Sequence, residues 1–310
     1  MKRVVFCFLC LLFIMGCEKD PALSHMPNVT VVLDTVKLER KVLVIGIDGV
    51  RSDVLSPLHT PFLDSIIQDM NIFYNVSHRT ENYTSSGPNW SSILTGVNYD
   101  KHNVIDNSFN CSNFCDFPPF FEYVEDLATD INTASIVNWS PINSHILSGY
   151  VDDHQSESND SLVFNSAKDL LLETNSSSVD ILFLHFDELD LAGHAYGFGS
   201  SSQEYTDRIS ILDDYVKDLY SVIEQKRSQG EDWLLLVVSD HGGEGTSHSD
   251  NTNPHITNTL FLSEHPTLSY RTDYISSQVD LAPTILSFIG ISNSEFNYNT
   301  DGNLIFFSDD

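Results

Sequence analysis

"KVLVIGID", Lys41 to Asp48, decides the fold. It is an unbroken apolar run, rich in β-branched residues, that stops at an acid followed by Gly49. A strand covered on both faces needs apolar residues at every position, which is the pattern of a buried parallel strand. Further short apolar runs follow: "NIFYNV" from Asn71, "INTASIVNW" from Ile131, "SVDILFLHF" from Ser178 and "DWLLLVVSD" from Asp232. Helical patterns lie between them. "TPFLDSIIQDM" from Thr60 is one. The clearest places Tyr205, Ile209, Leu212, Val216, Leu219 and Ile223 at alternating steps of four and three, on one helix face. Strands alternating with helices predict an α/β fold: a mostly parallel central sheet with helices on both faces, in a single domain. That domain is expected over residues 41–292, with a less regular Ser/Asn/Asp-rich segment at 111–178 as a small peripheral insertion and a C-terminal tail at 293–310.

Composition narrows the function. A chain of 310 residues with 41% hydrophobic content can bury a full core. Its formal net charge of -29 argues against binding a nucleic-acid duplex, which depends on Lys and Arg neutralising phosphates. An anionic substrate would need positive charge from another source, and bound metal ions are the obvious one. The first residues, "MKRVVFCFLCLLFIMGC", place Lys2 and Arg3 before a short apolar run that ends at Gly16 and Cys17. This reads as a signal peptide, and "IMGC" resembles a bacterial lipobox. On that reading residues 1–17 are the signal, Cys17 carries the lipid, residues 18–40 are a tether, and the protein is exported to the cell envelope, periplasm or cell surface. An ordinary signal peptide or signal anchor is the alternative. Cys111 and Cys115 remain, and in an exported protein "CSNFC" is expected to close a small disulfide loop, with free thiols as the alternative.

In open parallel sheets functional residues gather at the carboxyl ends of strands. Three strands here run into potential metal ligands: "VIGIDGVRSD" with Asp48, "ILFLHF" into "DELDLAGHAYG" with Asp190 and His194, and "WLLLVV" into "SDHGGEGTSH" with Asp240, His241 and His248. Each alone is weak, because an acid after a strand often caps the next helix. Together they supply mixed carboxylate and imidazole ligands, suited to zinc or a similar divalent ion. A separate stretch, "TSSGPNWSSILTG" from Thr84 to Gly96, offers three adjacent hydroxyls, Thr84, Ser85 and Ser86, before a helical segment. Its residues alone do not choose between a catalytic oxygen and a Ser-rich helix cap.

These motifs, in this order, resemble the alkaline phosphatase superfamily, and within it the nucleotide pyrophosphatase/phosphodiesterase-like branch. The resemblance runs from Lys41 to about Gly290 and rests on "IDGVRSD", "S-x-P-N-W-x-x-I-L-T-G", "ELDLAGHAYG", "SDHGG" and "QVDLAPTIL". It implies a two-metal phosphoric ester hydrolase, with two divalent ions, Zn2+ foremost, and a small-molecule phosphate ester or diester as substrate. Counting back from Pro88 and Gly96 to the family's nucleophile gives Ser86, with Thr84 and then Ser85 behind it. One ion would be held by Asp48, Asp240 and His241 with Ser86. The other would be held by Asp190, in preference to Asp187, with His194 and a third imidazole. His248 is the first choice for that imidazole, ahead of His255 and His265. Asn107 stands at the spacing of an amide that contacts substrate phosphate in the phosphodiesterase branch; an Asn in a turn is the plainer reading.

The resemblance also weighs the alternatives. A sulfatase would need Arg where Trp90 stands. A monoesterase needs an extra cationic clamp, for which Arg51 and Arg79 are the candidates. Trp90 is read as packing under the nucleophile helix rather than stacking on a base. Transfer of a phosphoalcohol head group on the same fold, and a non-catalytic lipoprotein that binds metal or glycan, complete the range.

Overall fold

Strand β1 (Arg40–Ile47) forms the middle of a seven-stranded sheet. The other strands are β2 (Ile72–Arg79), β3 (Thr133–Val137), β4 (Asp153–Ser156), β5 (Ile181–Phe186), β6 (Asp232–Val238) and β7 (Asn258–Glu264), and the order is β2-β7-β6-β1-β5-β3-β4. Strand β1 pairs in parallel with both β5 and β6, as β3 does with β5 and β4. Strand β7 pairs antiparallel with β6 and β2, so it alone runs against the rest. This computed structural model describes residues 40–68, 71–127, 131–173, 178–291 and 299–307. The expected signal peptide, the tether as far as residue 39 and half of the C-terminal tail lie outside the described residues.

The pleat of β1 sorts its side chains between two apolar layers. Val42 and Val44 join the layer that contains Trp90, Ile93 and Leu94 of the helix Ser86–Thr95 and Leu281, Ile285 and Leu286 of the helix Leu281–Phe288. Leu43, Ile45 and Ile47 join the opposite layer, with Val163, Ala167 and Leu171 of the helix Asp160–Leu172 and Leu212, Val216 and Leu219 of the helix Gln203–Ser228. The periodic segment around Leu212 is thus a 26-residue helix whose apolar face covers the sheet. The segment 111–178 lies at the sheet's edge, where it supplies β3 and β4. Cys111 is a free, exposed thiol, so the loop expected to join it to Cys115 is not closed. No helix among the described residues is long and apolar enough to cross a membrane.

Candidate active site

Because β5, β1 and β6 are neighbours, their carboxyl ends open at one place. Asp48 follows β1 directly and is fixed by its N–H, which donates to Phe186 O at 2.9 Å. From β5 the chain enters the helix Glu188–Tyr196, which carries Asp190 and His194 one turn apart on one face. From β6 it passes through Ser239 to Asp240 and His241. Gly49 makes this convergence possible. Its φ is +75°, and a Cβ there would lie 2.9 Å from Asp190 Cα, Cβ and Oδ1, so only glycine lets the β1 turn meet that helix. Its N–H donates to Asp240 Oδ1 at 3.2 Å.

Ser86 opens the helix Ser86–Thr95 on the other side, buried, with Oγ 3.4 Å from His241 Nε2. That nitrogen is also 3.2 Å from Asp240 Oδ2 and 3.5 Å from Asp48 Oδ1. His194 Nε2 lies 3.3 Å from Asp190 Oδ2 and 3.1 Å from His248 Nε2, and the His241 and His248 rings stack at 3.9 Å. The six expected ligands and Ser86 therefore meet. Their donor atoms form two overlapping groups, Asp48 with Asp240 and His241, and Asp190 with His241 and His248, each with all its atoms within 4.8 Å. The first group is buried. His194 belongs to neither group; it stands at the solvent side of the second, beside Asp190 and His248, with its side chain 42% exposed.

The chemistry of this donor set fits divalent ions. Asp48 Oδ1, Asp190 Oδ1 and Asp240 Oδ2 are buried with no hydrogen-bond partner among the described residues. Folded proteins rarely leave such oxygens unsatisfied, and here one follows each of three neighbouring strands, Asp190 from the helix after β5. The imidazoles are prepared in a common way. Nδ1 of His241, His194 and His248 meets the backbone oxygens of Gly242, Thr246 and Thr84 at 2.9, 2.9 and 2.8 Å. A carbonyl only accepts, so each Nδ1 carries a proton and each Nε2 points inward, the arrangement that orients metal-ligating histidines; in the metal-free protein His194 Nε2 also carries a proton, donated to Asp190 Oδ2, which a bound ion would displace. His194 Nε2 also faces the His248 Nε2 lone pair at 3.1 Å, a gap that a proton on His194 or a bound cation closes.

Metal-free electrostatics show the same strain. Burial raises Asp240 well above the usual carboxylate range, and the negative charges of Asp48 and Asp190 add to it. Asp190 rises for the same first reason, despite the His194 hydrogen bond. Burial and the charge of Asp48 bring Asp187 to about 7. Asp48 is the exception: burial opposes its ionisation, but hydrogen bonds from His185 and Trp90 and the charges of His241 and His185 hold it at about 2. The hydrogen bond with Asp190 lifts His194 to about 9, while burial lowers His248 to about 4.

The alternatives raised by the sequence sit elsewhere or are otherwise engaged. Thr84 Oγ1 donates to the backbone oxygen of His248, and Ser85 is the N-cap residue, with its carbonyl accepting from Asn89 Nδ2 at 2.8 Å. His255 is 44% exposed, with Nδ1 3.7 Å from Asp53, and His265 binds Asp232 at 2.7 Å near the start of β6. Arg51 is committed to Asp53 and Glu244, and Arg79 is exposed at the end of β2, so neither clamps the cluster. Asp187 joins a third group with Asp48 and His185. Asn107 does lie beside the helix start that carries Ser86: its Oδ1 accepts the Gly87 N–H at 2.7 Å. That bond takes one helix-start amide, Pro88 has none, and Asn89 N–H donates to Ser85 O at 3.4 Å. The helix start therefore presents fewer free donors than its position suggests: the Ser86 N–H and the Asn107 Nδ2. Trp90 packs under the helix as expected, but its Nε1 also donates to Asp48 Oδ2 at 2.9 Å. His185, whose Nε2 meets the same oxygen at 3.1 Å, is not among the residues the sequence motifs single out; a histidine inside "ILFLHF" is the available signal.

The profile of the type I phosphodiesterase / nucleotide pyrophosphatase family matches residues 42–281. Among curated proteins, the chain is 26% identical over 227 residues to human bis(5'-adenosyl)-triphosphatase ENPP4, covering 66% of this chain and 48% of that one. It thus spans about half the length of such relatives. Among solved structures, an inactive form of murine ectonucleotide pyrophosphatase/phosphodiesterase 5 in complex with AMP superposes with a TM-score of 0.65 at 15% identity, over 86% of this chain and 100% of that one. The C-terminal periplasmic domain of EcEptC from Escherichia coli, in complex with Zn, superposes with a TM-score of 0.57 at 16% identity, over 81% of this chain and 83% of that one. At these identities the structural likenesses speak for the fold. The family profile, reaching from the second residue of "KVLVIGID" past the last ligand-bearing loop, places the chain in the type I phosphodiesterase/nucleotide pyrophosphatase family.

Proposed function

We propose that the chain is a metal-dependent hydrolase of phosphate diesters and nucleotide pyrophosphates, with Ser86 as nucleophile and two divalent ions, zinc foremost, as cofactor. The observation that carries this reading is the trio of buried, partnerless oxygens on Asp48, Asp190 and Asp240, gathered with three inward-turned imidazoles around one serine hydroxyl. Asp48, Asp240 and His241 would hold the ion beside Ser86, and Asp190, His194 and His248 the ion nearer solvent. Bound divalent ions would supply Lewis acidity and the positive charge that the described side chains of the cluster lack. The charge match is direct: three carboxylates and a deprotonated Ser86 complement two divalent cations. Zinc is favoured by the mixed oxygen and nitrogen donors, and the Zn complex of the EptC domain supports it.

Ser86 Oγ gives up its proton to solvent water and attacks phosphorus in line. The Oγ–P bond forms as the bond to the leaving oxygen breaks, and that oxygen takes up a proton from water. Water then displaces Ser86 from phosphorus and regenerates the hydroxyl. Asn107 is held against Gly87 by its carbonyl, so its amide Nδ2 is the donor available to a non-bridging oxygen as charge develops there. A monoanionic diester or pyrophosphate suits a cluster without a clamping Arg or Lys better than a dianionic monoester. The bis(5'-adenosyl)-triphosphate in the name of ENPP4, a pyrophosphate-linked compound, supports that class. From the "IMGC" motif we also propose export and lipid attachment at Cys17.

The test is a substrate panel on purified, metal-loaded protein: bis-p-nitrophenyl phosphate, p-nitrophenyl phosphate, a sulfate ester, a phosphonate monoester and a dinucleoside polyphosphate. Diester or pyrophosphate cleavage well above the monoester rate, lost on chelation, is the expected result. Metal uptake with no turnover of any substrate would instead identify a binding protein.

A further inference from the structure

Asp48 differs from the other two acids of the cluster. Its Oδ1 is partnerless, while its Oδ2 receives Trp90 Nε1–H at 2.9 Å and meets His185 Nε2 at 3.1 Å. The His185 tautomer follows from its other nitrogen, because the Trp139 backbone N–H donates to Nδ1 at 3.4 Å. Nδ1 is thus the acceptor and Nε2 carries the proton, aimed at Asp48. The two donors support each other: the rings of Trp90 and His185 meet edge to face at 4.9 Å, and both side chains are buried. Space for the indole is reserved in the sheet, since a Cβ on Gly46 would lie 2.6 Å from Trp90 Cη2. Trp90 also follows Ser86 by four residues in one helix, so both project from the same side of it.

We propose that His185 and Trp90 are positioning residues that hold Asp48 as a one-oxygen metal ligand, and that Trp90 in addition sets the Ser86 helix in register with the metal centre. Two donors on Oδ2 stop the Asp48 carboxylate rotating, so Oδ1 is presented in one place. The indole bond joins the element carrying the nucleophile to the strand end carrying the ligand. Outer partners of this kind tune metal affinity. The inference rests on the proposed metal centre, and its test separates the two.

Wild type, Trp90→Phe, His185→Leu and His185→Gln are purified metal-free, and Zn2+ affinity is measured by competition with a chromophoric chelator, with no substrate present. Circular dichroism and metal-free melting temperature report on folding. Trp90→Phe keeps a ring but has no N–H, and His185→Gln keeps a donor within reach of Oδ2. Trp90→Phe and His185→Leu are expected to bind at least one ion roughly 10–100-fold more weakly, with His185→Gln restoring affinity most of the way. Trp90→Phe should also lower kcat more than KM is changed, because it loosens Ser86. Unchanged affinity in both Trp90→Phe and His185→Leu, against a wild type that does bind, overturns this inference and leaves the metal centre standing. A folded wild type that takes up no metal overturns both. Should His185→Leu fail to fold, Trp90→Phe decides alone.

Discussion

Replacing Asp240 by Asn should change the sign of its effect on stability when metal is added. In the metal-free protein Asp240 is fully buried beside Asp48 and Asp190, and its charge is opposed first by burial and then by both neighbours. The amide fits the site. Its oxygen can still accept the Gly49 N–H seen at 3.2 Å, and its nitrogen would take the place of the partnerless Oδ2, 3.2 Å from the His241 Nε2 lone pair. Removing an unsatisfied buried group returns roughly 1–3 kcal/mol, so metal-free Asp240→Asn should melt above the metal-free wild type at pH 8. In metal the order reverses. A ligand present at a hundred times its Kd stabilises by about 2.7 kcal/mol, and the variant forfeits most of that by losing a charged oxygen donor. For a chain of this size each kcal/mol moves the melting temperature by roughly 2–4 °C. Wild type should therefore gain on the order of 5–10 °C on zinc addition, and Asp240→Asn much less. Calorimetry of both proteins, with chelator and at fixed free zinc, gives all four values. A variant destabilised equally in both conditions, or one that gains as much from zinc as wild type, would refute the argument.

Other outcomes follow from the same geometry. Ser86→Ala should lower turnover by at least roughly 10³-fold with near-normal metal content; Thr84→Val, which loses only the bond to the His248 backbone, should keep most of its kcat. Retained activity in Ser86→Ala would move the nucleophile to a neighbouring hydroxyl. His248→Ala should lose metal in plasma emission analysis and His255→Ala should not, because only His248 reaches His194 and His241. Apparent metal affinity should fall with pH below about 9, because His194 is raised to about 9 and binds a proton where its Nε2 must face an ion. It should fall further through about 7 as Asp187 takes up its proton and lessens the negative charge beside Asp48. Titration calorimetry in buffers of different ionisation enthalpy should register proton release on metal binding, and pH-independent affinity would contradict the assignment.

The sequence carried the sheet where the strands are buried on both faces, because β1, β5 and β6 must be apolar throughout. It did not disclose β4, whose "DHQS" lies on an exposed edge and has no apolar signal, nor that β7 reverses direction, which depends on the connection and not on composition. Asp48 and Asp240 were legible as candidate ligands because each follows an apolar strand and precedes glycine or histidine, whereas Asp190 and His194 stood out by their one-turn spacing in "DLAGH". Choosing Ser86 among three hydroxyls needed the family motif, and the geometry adds a reason: Thr84 is tied to the loop carrying His248. His185 and the Trp90 indole bond were hidden for another reason. A histidine within an apolar strand and a tryptophan in a helix read as core, and only the tertiary approach of β1, β5 and the Ser86 helix turns both onto one carboxylate oxygen.

The most direct test is diffraction from zinc-soaked crystals at wavelengths on either side of the zinc absorption edge. The account expects two anomalous peaks: one among Asp48 Oδ1, Asp240, His241 and Ser86 Oγ, the other among Asp190, His194 and His248. Peaks absent from both positions, or found only on surface carboxylates, would contradict it.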